Sequence, residues 1–326
     1  MKGHPASTLA DIAARCGVSA STVSRVLNNS PGISHDVRQK VIESVKENGF
    51  SPKRRRRHMT RTQLRLVIVI PDKTQTSTNP FFTMADLMAS INKVFDGVWK
   101  TLEVINYNEL SDVMLIKDIH ADGVIFAFGS AQEVLLEKLE QKSVPYVFLN
   151  RGQGNYVSCN NFKGMLKMAE YLLSKGKKKI GYLGCPESPV NRDRFRGYCS
   201  AMMESGIFRE KLLRNTDGIE HISSDDAQFF LKNCDAVMCF NDNFAIRLIG
   251  ELNRLGKSVP ENISVTGFDD SPMRRLFRPL ITTVSLSTYE MGFYAARWLK
   301  DNIVHKTNRT LRLEVEGELL EGETVK

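Results

Sequence analysis

No apolar run in this 326-residue chain approaches the ~18 residues that a membrane-spanning helix requires. The first residues, Met1 to Thr8, are polar and lack the apolar core of a secretory signal, so a cytoplasmic protein without a membrane partner is expected. The six cysteines, Cys16, Cys159, Cys185, Cys199, Cys234 and Cys239, include no CxxC pair. Reduced, buried thiols are therefore expected, with no structural metal and no cofactor. A phosphate-cradling P-loop and a glycine-rich dinucleotide fingerprint are also missing, as is a nucleophile–base pair. Enzymatic chemistry is not expected.

Negative charge is scarce in one place only. Residues 1–65 hold 13 Lys+Arg against 4 Asp+Glu, a balance of +9, so the rest of a chain with net charge +8 sums to −1. A basic head on a near-neutral body is suited to meeting a polyanion with the head alone. A hydrophobic content of 42% allows a sizeable core, and the length suits a small domain joined to a large two-lobed one.

The head reads as three short helices. Thr8 is placed to cap a helix that starts at Leu9, with Asp11 near its positive end. Apolar Ile12, Cys16, Val18, Val23 and Val26 line one side, small Ala13 permits close helix approach, and Gly17 supplies the turn. Ser19 caps a second helix that carries Ala20, Ser21, Ser24 and Arg25 outward. A third helix is expected over 36–48, after Ser34, with Val37, Val41 and Val45 inward and a stop at Gly49. A plain helical bundle would explain the apolar pattern but not a serine- and arginine-bearing outer face beside a basic tail.

The stretch GVSASTVSRVLNNSPGISHDVRQKVIESVKENGFSP, and TVSRVLNN above all, resembles the head of the lactose/galactose-repressor (LacI/GalR) family of bacterial transcription regulators. The resemblance implies base contacts by Ala20, Ser21 and Arg25. Of these, Ala20 offers a methyl, Ser21 a permissive hydroxyl, and Arg25 a fork suited to guanine O6/N7. Ser19, Thr22, Ser24 and Asn28 would hold phosphates. The segment PKRRRRHMTRTQ, from Pro52, occupies the place of the family's hinge, and the minor-groove wedge position falls on Met59. Here the pattern departs from the family, because Arg54, Arg55, Arg56 and Arg57 repel one another in free protein. Two outcomes are open. The arginines line the minor groove while Met59 wedges and bends the DNA, or an extended hinge grips phosphates on straight DNA.

From Leu66 the chain alternates short apolar strands (66–70, 102–107, 123–128, 145–150, 179–184, 236–240, 264–268) with helices near 83–96, 131–142, 162–175, 194–206 and 242–256. Such alternation predicts an α/β body with parallel sheets, two lobes and a ligand cleft at the strands' carboxyl ends. The resemblance continues through Asn79-Pro-Phe-Phe82, Asn160-Asn161-x-x-Gly164, Arg194-x-x-Gly197-Tyr198, Asn241-Asp242 and VPENISVTGFDD. It implies a periplasmic-binding-protein-like body with an effector pocket of Phe81, Phe82, Asn160, Arg194, Asn241 and Asp269. That set suits a polyhydroxylated ligand, a sugar or sugar derivative, with rings to stack and planar groups to donate and accept.

Plainer roles stay open. Arg194 could pair with Asp193 or Glu204, and Asp269-Asp270 could simply end a loop. Asn160 and Asn150 stand where the family favours acidic residues, which admits a neutral or anionic effector. The stretch 109–122 is short for a lobe helix. The expected division is a helix-turn-helix domain (1–50), a basic hinge (51–63) and an effector-binding and dimerisation domain (64–326). Within the last, one lobe takes about 64–157 and 286–310, the other 158–285 and 311–326. The function implied is a homodimeric, effector-controlled regulator, most often a repressor, of a pseudo-palindromic double-stranded operator. A periplasmic ligand carrier would not need the head, and an architectural nucleic-acid binder would not need the body.

Overall fold

The computed structural model describes residues 8–27, 33–48, 63–71, 81–106, 121–150 and 154–326, apart from 187, 189 and 308. Asn28, Arg54 to Arg57, Met59, Asn79 and most of the short 109–122 stretch lie outside the described residues. The chain divides into two compact units. One comprises Met1–Val69, Val98–Val124 and Ala131–Val144, and the other Ile70–Gly97, Ile125–Ser130 and Pro145–Lys326.

The first unit opens with α1 (Leu9–Cys16), α2 (Ala20–Leu27) and α3 (His35–Glu47). Thr8 and Asp11 form a reciprocal capping box: the Thr8 hydroxyl accepts from Asp11 N–H, and the Asp11 carboxylate accepts from Thr8 N–H at 2.7 Å. Two end-of-helix donors are thereby satisfied. Gly17, at φ +65°, closes α1 in the left-handed conformation that a side chain resists. The turn expected from sequence is present. The third helix begins at His35, one residue earlier than expected, because Ser34 C=O already accepts from Arg38 N–H at 3.0 Å. The three helices share a core of Ile12, Ala13, Val23, Val26, Val41 and Val45, while Val37 is half-buried.

The same unit holds most of β1 (Leu64–Ile70), all of β2 (Lys100–Asn106) and the start of β3 (Gly123–Ala127). Arg65 fixes this corner: its N–H donates to the Asp122 carboxylate at 2.8 Å, and its guanidinium pairs with Glu103. Helix α5 (Glu133–Gln141) buries Leu135, Leu136 and Leu139 at helical spacing.

In the second unit, β4 (Tyr146–Leu149), β5 (Tyr156–Cys159) and β11 (Arg312–Val315) run parallel, in the order β11-β5-β4. A separate sheet runs β7-β6-β8-β9 (Leu213–Asn215, Ile180–Gly184, Ala236–Cys239, Ser264–Thr266), again all parallel. The long helices are α4 (Met84–Val94), α6 (Asn161–Ser174), α7 (Asn191–Glu204), α8 (Ser224–Asn233), α9 (Asp242–Arg254) and α11 (Thr288–His305). The short α10 spans Pro272–Leu276. Leu183, Phe230, Val237, Leu248, Ile249 and Val265 fill the core of the β6–β9 layer.

The tail divides its pairing between two sheets. Arg312–Val315 pairs with Tyr156–Cys159, on the sheet of β4, because an extended run with its own backbone donors completes that edge. Only beyond this does β12 (Leu319–Leu320) pair antiparallel with β10 (Thr283–Val284), and Thr324 C=O accept from Val265 N–H.

All six cysteines are free thiols. Burial pushes Cys159 and Cys234 up to about 12, far from the range in which a thiolate reacts. Among the described residues no helix is long and apolar enough to cross a membrane.

Candidate effector site and nucleic-acid face

The groups around Arg194 are brought in at a strand's carboxyl end, or by the first turns of the helix that follows. Phe128 follows β3, Asn150 follows β4, Phe240 and Asn241 follow β8, and Asp269 follows β9. In an open α/β layer this is where ligands are received. Helix α7 contributes Arg194 and α6 contributes Asn161.

Arg194 is the hub. Its side chain is 1% exposed. Nε donates to Asn161 Oδ1 at 2.8 Å, Nη1 to Phe240 C=O at 2.7 Å, and Nη2 to Asp269 Oδ1 at 2.6 Å. The Phe268 ring lies 3.9 Å from the guanidinium carbon and the Phe240 ring 5.0 Å. A cation this deep is held only with its hydrogen bonds made and a counter-charge in contact. Its partner is Asp269 rather than Asp193, which pairs with Arg196, or Glu204, which accepts from Ser200.

A glycine allows the meeting of Arg194 with Asn161. A Cβ on Gly197 would stand 2.4 Å from Phe162 C=O. Only glycine lets α7 lie this close to the backbone of α6, one turn from Arg194.

Asp269 is held in an unusual backbone state, φ +107°, followed by Asp270 at φ +52°. Asp269 N–H donates to Val284 C=O at 2.8 Å, and its C=O accepts from Leu286 N–H at 3.1 Å, which pins the strained residue from both sides. The two neighbouring carboxylates diverge: Asp269 turns to Arg194, and Asp270 to Arg274 and Arg275 at 2.8 and 3.0 Å. Burial raises the Asp269 carboxyl above its ordinary range, and the Arg194 charge and the hydrogen bonds from Arg194 and Asn241 work against that rise.

Asp242, the first residue of α9, is 0% exposed. It accepts from Thr283 Oγ1 at 2.6 Å and Ser271 N–H at 2.7 Å. Burial, and then the Asp269 charge, push it up to about 7.

The six residues marked from sequence do not form one cluster. Arg194, Asn241 and Asp269 converge, with Asn241 also capping α9 by accepting from Phe244 N–H at 3.0 Å. Asn160 faces elsewhere: it caps α6 by accepting from Lys163 N–H and donates to Glu314, both at 2.9 Å. Its neighbour Asn161 takes the place beside Arg194, and Asn161 Nδ2 reaches back to Asn150 Oδ1 at 3.3 Å and Cys159 C=O at 3.0 Å. The resemblance implies Asn160 for the pocket, whereas Asn161 is the residue bonded to Arg194; the sequence does not say which of two adjacent asparagines turns inward. Phe81 and Phe82 meet each other at 5.2 Å and Phe128 at 5.3 and 4.4 Å between ring centres. Phe128 (φ +61°), which in sequence reads only as the end of the strand run 123–128, completes this aromatic group.

On the head, Ala20, Ser21 and Arg25 are exposed along α2. Ser19 caps that helix by accepting from Thr22 N–H at 3.1 Å. Its hydroxyl also lies 2.7 Å from that of Ser21 and 2.8 Å from that of Thr22, so three hydroxyls gather at the helix start. Ser24 is half-buried.

Residues 8–53 match the family described as bacterial regulatory proteins, lacI family, and residues 169–325 match a periplasmic binding protein-like domain. Over 98% of its length the chain is 30% identical to 99% of the transcriptional regulator RegA of Clostridium saccharobutylicum. It is 28% identical to the transcriptional repressor PurR of Vibrio vulnificus, with 98% of this chain and 99% of that one covered. Among solved structures, a complex of the transcriptional regulator CelR with cellobiose superposes with a TM-score of 0.67 at 27% identity, over 98% of this chain and 99% of that one.

Proposed function

Because this chain belongs to the lacI family of bacterial regulatory proteins, we propose that it is a repressor acting as a homodimer on a pseudo-palindromic operator. In this reading it is controlled by a small molecule, a sugar or sugar derivative, and works by binding rather than by catalysis. The observation that carries the reading is the outer face of α2, where Ala20, Ser21 and Arg25 stand exposed over a closed apolar core. An α-helix presented this way fits the major groove.

Arg25 reads a purine, Ala20 and Ser21 offer a methyl and a hydroxyl to neighbouring bases, and Ser19, Thr22, Ser24 and Asn28 hold phosphates. The basic hinge at 51–63 follows the helix-turn-helix domain (1–50) and brings Arg54 to Arg57 and Met59 to the operator centre. The body from 64 onward pairs two chains and senses the effector. One eight-residue recognition helix covers a half-site only, so two heads are required for a full operator. Repression as the sign is supported by the PurR relative, and a sugar effector by the CelR–cellobiose complex. In the effector site, the Arg194–Asp269–Asn241 group meets hydroxyls, and Phe81 and Phe82 stack on the ring face.

The test is selection of bound duplexes from a randomised pool by the purified full-length protein. A two-fold symmetric consensus is expected. Retention without sequence preference would refute the reading in favour of an architectural binder.

A further inference from the structure

The tail repeats one step, Glu316-Gly317 and again Glu321-Gly322, and both repeats have the same setting. Each glycine lies flat against the backbone behind it: a Cβ on Gly317 would strike the Ser285 carbonyl, and one on Gly322 the Leu280 carbonyl. Each glutamate turns to α6 instead. Glu316 takes Lys163 Nζ on Oε1 at 2.9 Å and Lys167 Nζ on Oε2 at 2.8 Å. Glu321 accepts from the Tyr171 hydroxyl at 2.9 Å, with Lys175 at 3.8 Å. Residues 163, 167, 171 and 175 stand four apart, so they form one stripe along the helix and its end. The tail is a strap that ties α6 to the 280–286 segment, with exposed charges on the helix side.

Both sides of this tie reach the Arg194–Asp269 pair. Asn161 opens α6 and receives Arg194 Nε at 2.8 Å. Ser285 donates its N–H to Glu318 C=O at 2.8 Å, and its Oγ accepts from Glu318 N–H at 2.9 Å. Its neighbours Val284 and Leu286 hold the Asp269 backbone. We propose that Glu316 is the catch of this strap, a positioning residue whose grip by Lys163 and Lys167 aligns Asp269 with Arg194 and loosens as ionic strength rises. A single exposed ion pair contributes little. Here one carboxylate engages an ammonium on each oxygen, and Lys167 also donates to Gly317 C=O at 3.3 Å. The hydrogen bonds from Lys167 and then Lys163 lower the Glu316 carboxyl to about 2, so near neutral pH the catch answers to dissolved ions and not to protons. Its three side chains are 39%, 52% and 54% exposed, open to screening. The Arg194–Asp269 pair is buried and is screened far less, so salt acts on it through the strap. The inference holds whichever molecule the Arg194 group receives.

The experiment is hydrogen exchange of the full-length protein, read by mass spectrometry at about 0.05 and about 0.5 M KCl, between which screening shortens to contact distances. In wild type, peptides carrying the Asp269 and Leu286 amides are expected to exchange roughly three- to tenfold faster at the higher salt, with those of β8 unmoved. Glu316→Gln should exchange at the faster rate in both salts, as should Lys163→Gln combined with Lys167→Gln. Reversing the charges, Glu316→Lys with Lys163→Glu and Lys167→Glu, should bring the salt step back. Equal wild-type rates at both salts would overturn the proposal. So would an acceleration confined to 316–323, which would make the strap a surface brace alone. A salt step that survives in Glu316→Gln would overturn the assignment to Glu316. The wild-type comparison needs no variant, so it decides the matter even if a substitution prevents folding.

Discussion

Replacing Arg194 by methionine removes the cation but keeps much of the side chain's length and apolar body. The Asp269 carboxylate is then left at 6% exposure with the Asn241 amide and no counter-charge. Breaking a buried pair by removing one partner costs about 3–5 kcal/mol. The cost depends on pH, and the sign follows from what holds the carboxyl. Burial already raises Asp269, and Arg194 is the largest influence opposing that rise. Without Arg194 the folded-state pKa climbs further above the unfolded value of ~3.9. The folded variant therefore binds a proton that the unfolded chain releases, and its stability falls as pH rises through this window. The destabilisation should be smallest near pH 5 and approach ~3–5 kcal/mol near pH 8, each extra pKa unit adding ~1.4 kcal/mol. Urea unfolding followed by circular dichroism at the two pH values reads this directly. Arg194→Met combined with Asp269→Asn should regain most of the loss at pH 8, since no charge is left stranded. A cost below ~1 kcal/mol, or one that does not change with pH, would refute the argument that Arg194 exists to hold a buried charge.

Asp242 should impose its own pH dependence. With its pKa pushed up to about 7, the protonated form favours the fold, so wild-type stability declines by up to ~1.4 kcal/mol per unit as pH rises from about 4 toward 7. Melting curves of Asp242→Asn across that range should lack this component, and parallel slopes would count against it. Gly197→Ala should cost about 2–3 kcal/mol, because the added methyl meets the Phe162 carbonyl at 2.4 Å and backbone does not yield easily. Denaturant midpoints test this, and a loss within error would mean that α6 and α7 separate freely. Arg25→Ala should weaken operator binding by roughly 1–3 kcal/mol and relax one base position. A uniform loss on every sequence, measured by titration against a panel of duplexes, would reassign Arg25 to phosphate.

Much of this architecture is legible in the amino acids because its periodic parts are strong. Ile12, Val23, Val26, Val41 and Val45 announce the head core, and apolar runs such as 66–70 and 123–127 announce the parallel strands. Other elements carry weaker signals. Tyr156–Cys159 and Arg312–Val315 are four-residue strands that gain their status by pairing with one another, a long-range event that no local pattern reports. Helix α11 carries no clear local signal although it is the longest among the described residues, at 18 residues. Its buried face includes Gly292, Ala295 and Ala296 beside Met291 and Leu299, and it starts after Ser287 at φ +55° without a side-chain cap. In the site, the residue types were visible but their bearings were not. Asn160 and Asn161 differ only in which way the first turn of α6 points them, and the Arg194–Asp269 pair joins residues far apart in sequence.

The turn at Asp269 and Asp270 bears on how this chain can change over generations. Two identical residues side by side look redundant, as if one could stand in for the other. The backbone turn denies that, since each carboxylate is sent to its own arginine. Losing or gaining one residue between Gly267 and Ser271 would move every bearing along by one, stranding Arg194 or Arg274 and displacing the N–H of Ser271 from Asp242. A substitution here disturbs one of these contacts, whereas a change of length disturbs all of them at once, so lineages descended from this protein should vary in the letters of this loop before they vary in their number.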